Sequence, residues 1–463
     1  MRVAVIGAGV AGLGAAWLLS HPSARTRHEV VVFEREQRFG GHSCTVDVET
    51  PQGSVPVDMG FIVFNQRNYP NLVALFEQLG VPTEDSNMSF AVSLDGGRFE
   101  YASAFSGFVA QRSNVLRPAF LRMTRDILRF NRLAPKLLER SEDLDFTIGH
   151  FISEAGFGEA FRDRYLLPMA SCIWSTPLCR MLDYPAQTMA RFFSNHGLLT
   201  IGSQLQWRTV SGGSRSYVER LVAPLRQQAR LATPATRIRR HETGVDVRDA
   251  QGHWQSFDRV VLACHADQAL ALLDDADERE RELLGRFAYS SNEVWLHGDA
   301  SLMPQRRPVW SSWNYVAGSP SLNSDAAASN VSVTYWMNRL QNLAGPDLFV
   351  SVNPDREPDP ATVHRRHTFE HPMFDSAAIR AQRELPFIQG VRRTFFCGSY
   401  AGYGFHEDAL SAGLDVAEQL GVERPWPRPA EHRTLGMPQR PATALPGSGT
   451  LLPPLPVPAP AAS

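Results

Sequence analysis

Three glycines near the start of the chain have the spacing that binds a dinucleotide. Gly7, Gly9 and Gly12 form a G-x-G-x-x-G motif directly after the apolar run 3–6 and before an apolar helical pattern. In this context the first glycine permits a tight turn, the second lets the backbone approach a pyrophosphate, and the third lets helix and strand pack closely. The free N–H groups at the start of the helix would then bind the phosphates.

A carboxylate follows at the distance that such a site requires. A second apolar run, 30–33, ends in Glu34, roughly 20 residues beyond the glycine motif, where an acid binds the ribose hydroxyls. The strand, the glycine turn, the helix and the second strand together predict an α/β domain with a Rossmann-like fold.

A second glycine-rich turn lies near the other end of the chain. A strand pattern at 394–399 is followed by Gly-Tyr-Gly-Phe-His-Glu-Asp at 402–408 and by a helical pattern. We identify His406 and Glu407 as candidate catalytic residues, because an imidazole can donate a proton and Glu407 belongs to the same polar group at the start of the helix. Glu407 also has a purely structural interpretation, since acids in a first helical turn stabilise the helix.

The order of these motifs resembles that of the flavin amine oxidase and phytoene desaturase superfamily. Glu34 is followed by the pair Gly40 and Gly41 and then by Val-Asp-Met-Gly-Phe at 57–61. In the superfamily an arginine usually follows the glycine pair, whereas this chain has His42. The resemblance implies a Rossmann-like FAD-binding domain and a substrate domain of helices and antiparallel sheet formed by insertions.

The resemblance also implies which residues hold the cofactor, FAD, without a covalent bond. The N-terminus of the rear helix would face the pyrimidine end of the flavin ring, where N–H groups stabilise the negative charge of the reduced form. We expect no metal site. The expected FAD contacts are Gly7, Ala8, Gly9, Val10, Ala11, Gly12, Glu34, Arg35, Gly40, Gly41, His42, Gly60, Phe61, Ile238, Ala263, Gly398, Gly404, Phe405 and His406.

A narrower resemblance bears on the substrate. The runs 402–408 and 335–342, together with residues 167–169 and 173–175, are similar to bacterial predicted NAD/FAD-binding oxidoreductases, which are related to the flavoprotein part of plant cyclopropane fatty acid synthases. The alternating strands of 290–384 are rich in aromatic residues, which either fill the core of the sheet or line an apolar cavity. We therefore predict hydride transfer from an apolar, fatty-acyl substrate to flavin N5.

Three other functions remain open from the sequence. An amine oxidase of this superfamily would release hydrogen peroxide and commonly uses a lysine near N5, but Lys136, the only lysine of the chain, lies in a surface-like helical pattern. The second is an isomerase that uses reduced flavin without net redox turnover. The third is a non-catalytic flavin protein that serves a lipid-modifying enzyme as its partner.

The pattern along the chain predicts three regions. Residues 1–80, 205–289 and 385–423 are expected to form the FAD-binding domain, and residues 81–204 and 290–384 the substrate domain. Helices are expected at 116–138, 148–154, 160–174 and 217–227. Residues 424–463 are rich in Pro and Ala, and we expect a disordered tail there.

Composition limits the partners and the location. The net charge of −2 gives no electrostatic basis for binding nucleic acid. The five cysteines are dispersed, which argues against a disulfide framework or a zinc site and indicates a cytoplasmic setting. No apolar run approaches the roughly 20 residues of a membrane span, and peripheral membrane contact stays open.

Overall fold

The computed structural model describes residues 1–21, 28–200, 205–225, 228–318 and 331–429. The strands of this part are, in chain order, β1 (Arg2–Ile6), β2 (Glu29–Phe33), β3 (Thr45–Thr50), β4 (Gly53–Asp58), β5 (Val63–Asn65), β6 (Thr83–Ser86), β7 (Phe90–Leu94), β8 (Phe99–Ala102), β9 (Trp207–Val210), β10 (Ala229–Arg230), β11 (Ala235–Arg240), β12 (Val245–Asp249), β13 (Trp254–Phe257), β14 (Arg259–Leu262), β15 (Ala288–His297), β16 (Trp313–Ala317), β17 (Val333–Trp336), β18 (Phe349–Val352), β19 (Val363–Met373) and β20 (Thr394–Phe396).

The helices connect these strands and cover the sheets. In chain order they are α1 (Val10–Leu19), α2 (Pro70–Leu79), α3 (Phe105–Phe108), α4 (Pro118–Leu137), α5 (Ile148–Glu154), α6 (Glu159–Phe161), α7 (Leu167–Trp174), α8 (Leu178–Met181), α9 (Ala186–Asn195), α10 (Arg215–Val222), α11 (Ala266–Leu272), α12 (Glu278–Leu284), α13 (Met337–Leu340), α14 (Ser376–Glu384) and α15 (His406–Gln419).

A parallel sheet of order β10-β2-β1-β14-β20 supports the glycine motif. In the central strand β1, Val5 pairs with Val32 of β2 and with Val261 of β14, and all three side chains are completely buried. Continuous apolar strands of this kind form where both faces of a parallel sheet are covered. The sheet confirms the predicted Rossmann-like α/β fold, with strands drawn from 1–80, 205–289 and 385–423.

Helices α1 and α15, which follow the two glycine-rich turns, pack directly on each other. A Cβ built on Gly413 of α15 would lie 2.1 Å from the carbonyl oxygen of Ala11, and a Cβ on Gly14 of α1 would lie 2.6 Å from Leu410. These distances are too short for any side chain larger than glycine. The first and last helices of the domain are therefore held at the closest possible approach.

A seven-stranded sheet has the order β19-β15-β18-β17-β16-β7-β8. Its pairs are antiparallel as predicted, except that β16 runs parallel to β7. Strands β7 and β8 come from the first insertion and the others from the second, so both insertions build one sheet. Strands β15 and β19 carry Asn292 and His371.

Three smaller sheets complete the described architecture, and one of them is the antiparallel pair of β3 and β4. Strands β11, β12 and β13 form an antiparallel meander, and β9 lies between β5 and β6. Because β6 lies at 83–86, residues just beyond the predicted domain boundary at 80 pair with the segment that begins at 205. Residues 201–204, on the other side of that boundary, lie outside the described residues.

Three local predictions differ from the structure. The helix predicted for 160–174 contains a π-helical turn at Arg162–Leu166 before α7 begins. The helix predicted for 116–138 begins at Pro118, a residue that favours the first helical position. The helix predicted for 217–227 is α10, which ends at Val222 and is followed by a 3₁₀ turn at Ala223–Leu225, while residues 226 and 227 lie outside the described residues.

The C-terminal boundary also differs from the predicted one. Arg424 is buried and donates hydrogen bonds to Glu418 and Asp415, both at 2.6 Å, and Trp426 stacks on Trp17 with ring centroids 6.0 Å apart. Composition alone missed these partners, because the acids lie on α15. Residues 430–463, most of the predicted tail, lie outside the described residues. No described helix has the length and apolarity needed to cross a membrane.

Candidate active site

The glycine motif is shaped by contacts that only glycine permits. Gly7 has a φ of +104°, and a Cβ there would lie 2.7 Å from the carbonyl oxygen of Ala263 at the end of β14. A Cβ on Gly12 would lie 2.0 Å from the carbonyl oxygen of Gly7. A Cβ on Gly9, by contrast, would meet no atom within 4 Å. The motif is therefore packed at its two ends and open in its middle.

The second glycine pair packs against this motif. The N–H of Gly40 donates to the carbonyl oxygen of Ala8 at 2.8 Å, and a Cβ on Gly41 would lie 3.1 Å from the Cα of Gly9. The carboxylate of Glu34 accepts the N–H of Ala8 at 2.7 Å. The structure thus brings the glycine motif, the glycine pair and the acid together, and open space remains beside Gly9.

The rear corner is built from side chains around His406, the first residue of α15. The imidazole stacks on Phe61 with centroids 3.9 Å apart and an interplanar angle of 10°. Its Nε2 lies 2.6 Å from the hydroxyl of Tyr217, which in turn lies 2.5 Å from the Oγ of Ser43. Burial lowers the pKa of His406 to about 3, so this imidazole is neutral at physiological pH. Because Ser43 follows the glycine pair, the front and rear corners meet here.

Glu407 points away from this cluster to the first turn of α2. Its two carboxylate oxygens accept the N–H groups of Asn71 and Leu72, each at 2.9 Å. Burial raises the pKa of Glu407 to about 8, although these two hydrogen bonds act in the opposite direction. Asp408 accepts the N–H of Phe405 at 2.9 Å. Both acids therefore accept backbone N–H groups at the starts of helices. This position fits the structural role, helix stabilisation, that the sequence left open.

A second imidazole group lies beside the glycine pair. The rings of His42 and His371 are 5.2 Å apart, and the Nδ1 of His371 lies 3.0 Å from the Nδ2 of Asn292. Burial lowers the pKa of His42 well below its usual value, with a further contribution from His371, and burial lowers the pKa of His371 to about 4. The Nε2 of His42 is buried and has no hydrogen-bond partner among the described residues. Such an atom is available to a ligand.

Asp58 connects three distant segments of the chain through its carboxylate. Its buried carboxylate accepts hydrogen bonds from Thr45 Oγ1 at 2.6 Å, from Ser214 Oγ at 2.7 Å and from Gln341 Nε2 at 3.1 Å. The N–H of Ser214, just before α10, also donates to it at 3.0 Å. Asp58 therefore fixes α10, which carries Tyr217, and ties the cleft to the second insertion.

The remaining predicted contact residues border the same cleft or lie near it. The N–H of Phe61 donates to the carbonyl oxygen of His42 at 2.8 Å. Gly60 is equally constrained, since a Cβ there would lie 2.1 Å from that oxygen, and Gly404 has a φ of +95° beside Phe374. Gly398 directly follows Cys397, whose N–H bonds to Leu262 of β14.

Two predicted contacts have less direct support. The side chain of Ile238 is fully buried, and its carbonyl oxygen accepts the N–H of Asp274 at 3.1 Å. Arg35 is exposed at the end of β2. The sequence also missed four residues of the site, and none of them carries a local motif: Ser43, Tyr217, Asn292 and His371.

Aromatic rings form a wall beside His406. The ring of Phe192 on α9 lies 5.1 Å from Phe405 and 4.7 Å from Trp174. The indole N–H of Trp174 donates to the carbonyl oxygen of Tyr403 at 3.2 Å, which ties α7 to the rear glycine turn. The surroundings of the rear glycine turn are thus apolar on the side of α7 and α9, while Lys136 lies exposed in the last turn of α4.

The residues present fit FAD. Open space beside Gly9 provides room for the pyrophosphate next to free N–H groups. The Nε2 of His42 has no hydrogen-bond partner among the described residues, and His406 at the N-terminus of α15 stacks on Phe61, whose N–H donates to the carbonyl oxygen of His42. We infer that the front corner would hold the phosphates and the rear corner the flavin ring.

Comparison with known proteins agrees with this geometry. The family model described as flavin containing amine oxidoreductase matches residues 10–421. A curated protein of Mycobacterium tuberculosis, AofH, named as a candidate flavin-containing monoamine oxidase, is 30% identical over 266 residues. That match covers 54% of each chain, so the present chain spans about half the length of the curated relative it matches.

Solved structures share the whole fold at low sequence identity. A fatty acid isomerase from P. acnes that produces CLA superposes with a TM-score of 0.65 and 18% identity, covering 91% of this chain and 99% of that one. A putrescine oxidase bound to putrescine gives a TM-score of 0.64 and 16% identity, with the same two coverages of 91% and 99%. At this identity the likeness concerns the fold alone. From the match of the family model over residues 10–421, we conclude that the chain belongs to the flavin containing amine oxidoreductase family.

Proposed function

We propose that the protein is an FAD-dependent oxidoreductase that acts on an apolar, fatty-acyl substrate and not on an amine. The observation that carries the proposal is the aromatic cluster of Trp174, Phe192 and Phe405, which places hydrocarbon next to His406 at the start of α15. The nearest acids, Glu407 and Asp408, are occupied by backbone N–H groups and so offer no carboxylate to an ammonium group.

The absence of a second lysine supports the same conclusion. Lys136 is the only lysine in the sequence, and it lies exposed in the last turn of α4. No lysine can therefore hold a water near the flavin, as amine oxidases of this superfamily commonly do. In addition, burial lowers the pKa of His42, His371 and His406, so these imidazoles add no fixed charge to the cleft.

The protein's own contributions to the reaction follow from these contacts. FAD, when bound, supplies a hydride acceptor at its N5. The aromatic wall excludes water from the reacting bond and orients the acyl chain. The hydroxyl of Tyr217 fixes the ring of His406 through Nε2, so that its other nitrogen can exchange a hydrogen bond with a ligand.

The test is an anaerobic titration of the FAD-loaded protein, followed by the loss of flavin absorbance. We expect bleaching by unsaturated fatty acids or their esters and none by putrescine or benzylamine. Bleaching by an amine, with hydrogen peroxide released on admission of air, would overturn the proposal. Conversion of a lipid only after prior reduction of the flavin, without consumption of an acceptor, would establish an isomerase instead, a chemistry found on this fold in the fatty acid isomerase.

We also propose that FAD is bound without a covalent link. We further propose that the protein works in the cytoplasm and has a lipid-modifying enzyme as its partner. The five cysteines are all free, which fits a reducing compartment. Cys397 lies completely buried just after β20, and burial raises the pKa of its thiol, so it is a poor nucleophile for the flavin. Precipitation with acid should release all of the flavin into solution, and flavin that stays with the pellet would contradict non-covalent binding.

A further inference from the structure

Exposed apolar side chains are concentrated in one part of the first insertion. Phe105 is 82% exposed and Leu116 is 83% exposed, while Leu121 and Leu128 on α4 are 55% and 53% exposed. Large apolar groups exposed together mark an interaction surface more often than chance. We call residues 105–136 the basic-apolar face, because the same segment carries a strong positive charge.

The charge of this face is opposite in sign to that of the whole chain. Residues 105–136 contain seven basic residues and a single acid, whereas the net charge of the protein is −2. The basic residues are Arg112, Arg117, Arg122, Arg125, Arg129, Arg132 and Lys136. The acid, Asp126, is buried, where its carboxylate accepts Arg129 at 3.0 Å and the N–H of Gly158 at 3.1 Å.

A seven-residue repeat produces the face. The pattern Leu-Arg-x-x-Arg occurs at 121–125 and again at 128–132, and seven residues are close to two turns of α-helix. Leu121 and Leu128 therefore lie in one exposed row, together with the arginines. The intervening Met123 and Phe130 are completely or almost completely buried. Helix α4 is thus fixed on the protein core, and its outer side is a rigid platform of leucine and arginine.

Several cations of the basic-apolar face have no ion-pair partner in the part of the chain that the structure describes. Arg112, Arg122 and Arg132 form no ion pair with any residue in the described ranges. Phe108 packs on Phe120 with centroids 4.9 Å apart, which places α3, and Phe105 with it, next to the start of α4. Apolar side chains and unpaired cations therefore occupy one continuous surface.

We propose that the basic-apolar face docks the protein on the surface of an anionic lipid membrane. The arginines match the negative charge of the lipid head groups, and the exposed leucines and phenylalanine reach the acyl boundary. A second copy of the chain, meeting the same face symmetrically, would bring like charges together. This proposal does not depend on which substrate the active site takes.

The test uses the FAD-loaded protein and sedimentation with vesicles. We expect binding to vesicles of phosphatidylglycerol and phosphatidylcholine, weaker binding to phosphatidylcholine alone, and a loss of binding at high salt. The double variant R125Q/R132Q should bind anionic vesicles about 25-fold more weakly, at about fivefold for each arginine. L121Q/L128Q should lose at least about tenfold, because two leucine side chains no longer enter the lipid.

The matched control is F387Q/V391Q, which removes two exposed apolar side chains elsewhere on the surface. We expect it to bind vesicles like the wild type, and unchanged thermal unfolding should show that every variant is folded. Equal binding by wild type and both face variants would overturn the proposal. The proposal would also be overturned if the protein bound no vesicles and formed a dimer that L121Q/L128Q dissociates, because the face would then contact a second copy. Vesicle binding is measured without turnover, so its failure is separate from a failure of the proposed reaction.

Discussion

The front and rear corners of the candidate site are built in different ways. The front corner consists of backbone, and its shape depends on Cβ atoms that are missing from Gly7, Gly12 and Gly41. The rear corner consists of side chains, with His406 held between Tyr217 and Phe61. The difference shows that the phosphate side is rigid and specified locally, whereas the ring side depends on residues from distant parts of the chain.

The largest expected effect comes from adding a Cβ to the front corner, either at a glycine that is tightly packed or at one that borders open space. Gly12→Ala should destabilise the flavin-free protein by about 3 kcal/mol, because the added Cβ would lie 2.0 Å from the Gly7 oxygen. Gly9→Ala meets no atom within 4 Å and should leave the stability unchanged, yet weaken FAD binding at least about tenfold. Urea unfolding and flavin titration measure the two quantities. Equal stability losses in both variants would contradict the assignment of open space beside Gly9.

The next largest effect is expected for Glu407, which follows His406 on α15. Glu407→Ala should cost about 2 kcal/mol of unfolding free energy, because the N–H groups of Asn71 and Leu72 would lose their acceptors. Glu407→Gln keeps one acceptor oxygen and should cost about half as much. If Glu407→Gln abolished turnover while stability and flavin affinity stayed normal, the carboxyl would have a catalytic role that its position at α2 does not predict.

The pH dependence of stability tests the neutral state of His406. Burial lowers its pKa from 6.5 to about 3, so between these values the unfolded chain binds a proton that the folded protein does not. The titration of His406 therefore leaves the free energy of unfolding unchanged above pH 6.5 and lowers it progressively as the pH falls below that value. Compared with His406→Gln, the wild type should lose about 1 kcal/mol more between pH 6 and pH 5. Parallel curves for the two proteins would show that the imidazole titrates normally.

The smallest effect should come from the hydroxyl that links the two corners. Tyr217→Phe removes the group between Ser43 and His406 and should cost about 1 kcal/mol or less. The loss is small because Ser43 Oγ and His406 Nε2 already lie 3.5 Å apart and can bond directly. Flavin affinity should stay within about twofold, while the reduction potential of the bound flavin should shift. An unchanged potential would mean that the hydroxyl only fills space.

The contrast between the corners also explains how much of the site could be predicted. The glycine motif and Glu34 are recognisable because the required residues are close in sequence and their contacts are steric. Tyr217 could not be recognised, since it occupies a buried position of α10 that any large apolar residue could fill. Its partner His406 lies 189 residues away along the chain.

The contact between Asn292 and His371 was not predicted because it depends on the register of two strands. Asn292 pairs with Phe369, and His371 is the next residue on the same face of β19. Their contact exists only for one register of β15 against β19, and local alternation does not specify which register forms. The fold class was predictable from the apolar runs of β1, β2 and β14, whereas this contact required the complete sheet.

The position of the chain's single lysine has a practical consequence. An N-hydroxysuccinimide ester reacts with primary amines, and Lys136 is the only side chain that carries one. Apart from the terminal α-amine, a fluorophore would therefore attach at one place, the last turn of α4. An environment-sensitive dye at that position would report the approach of a bilayer without any engineered cysteine.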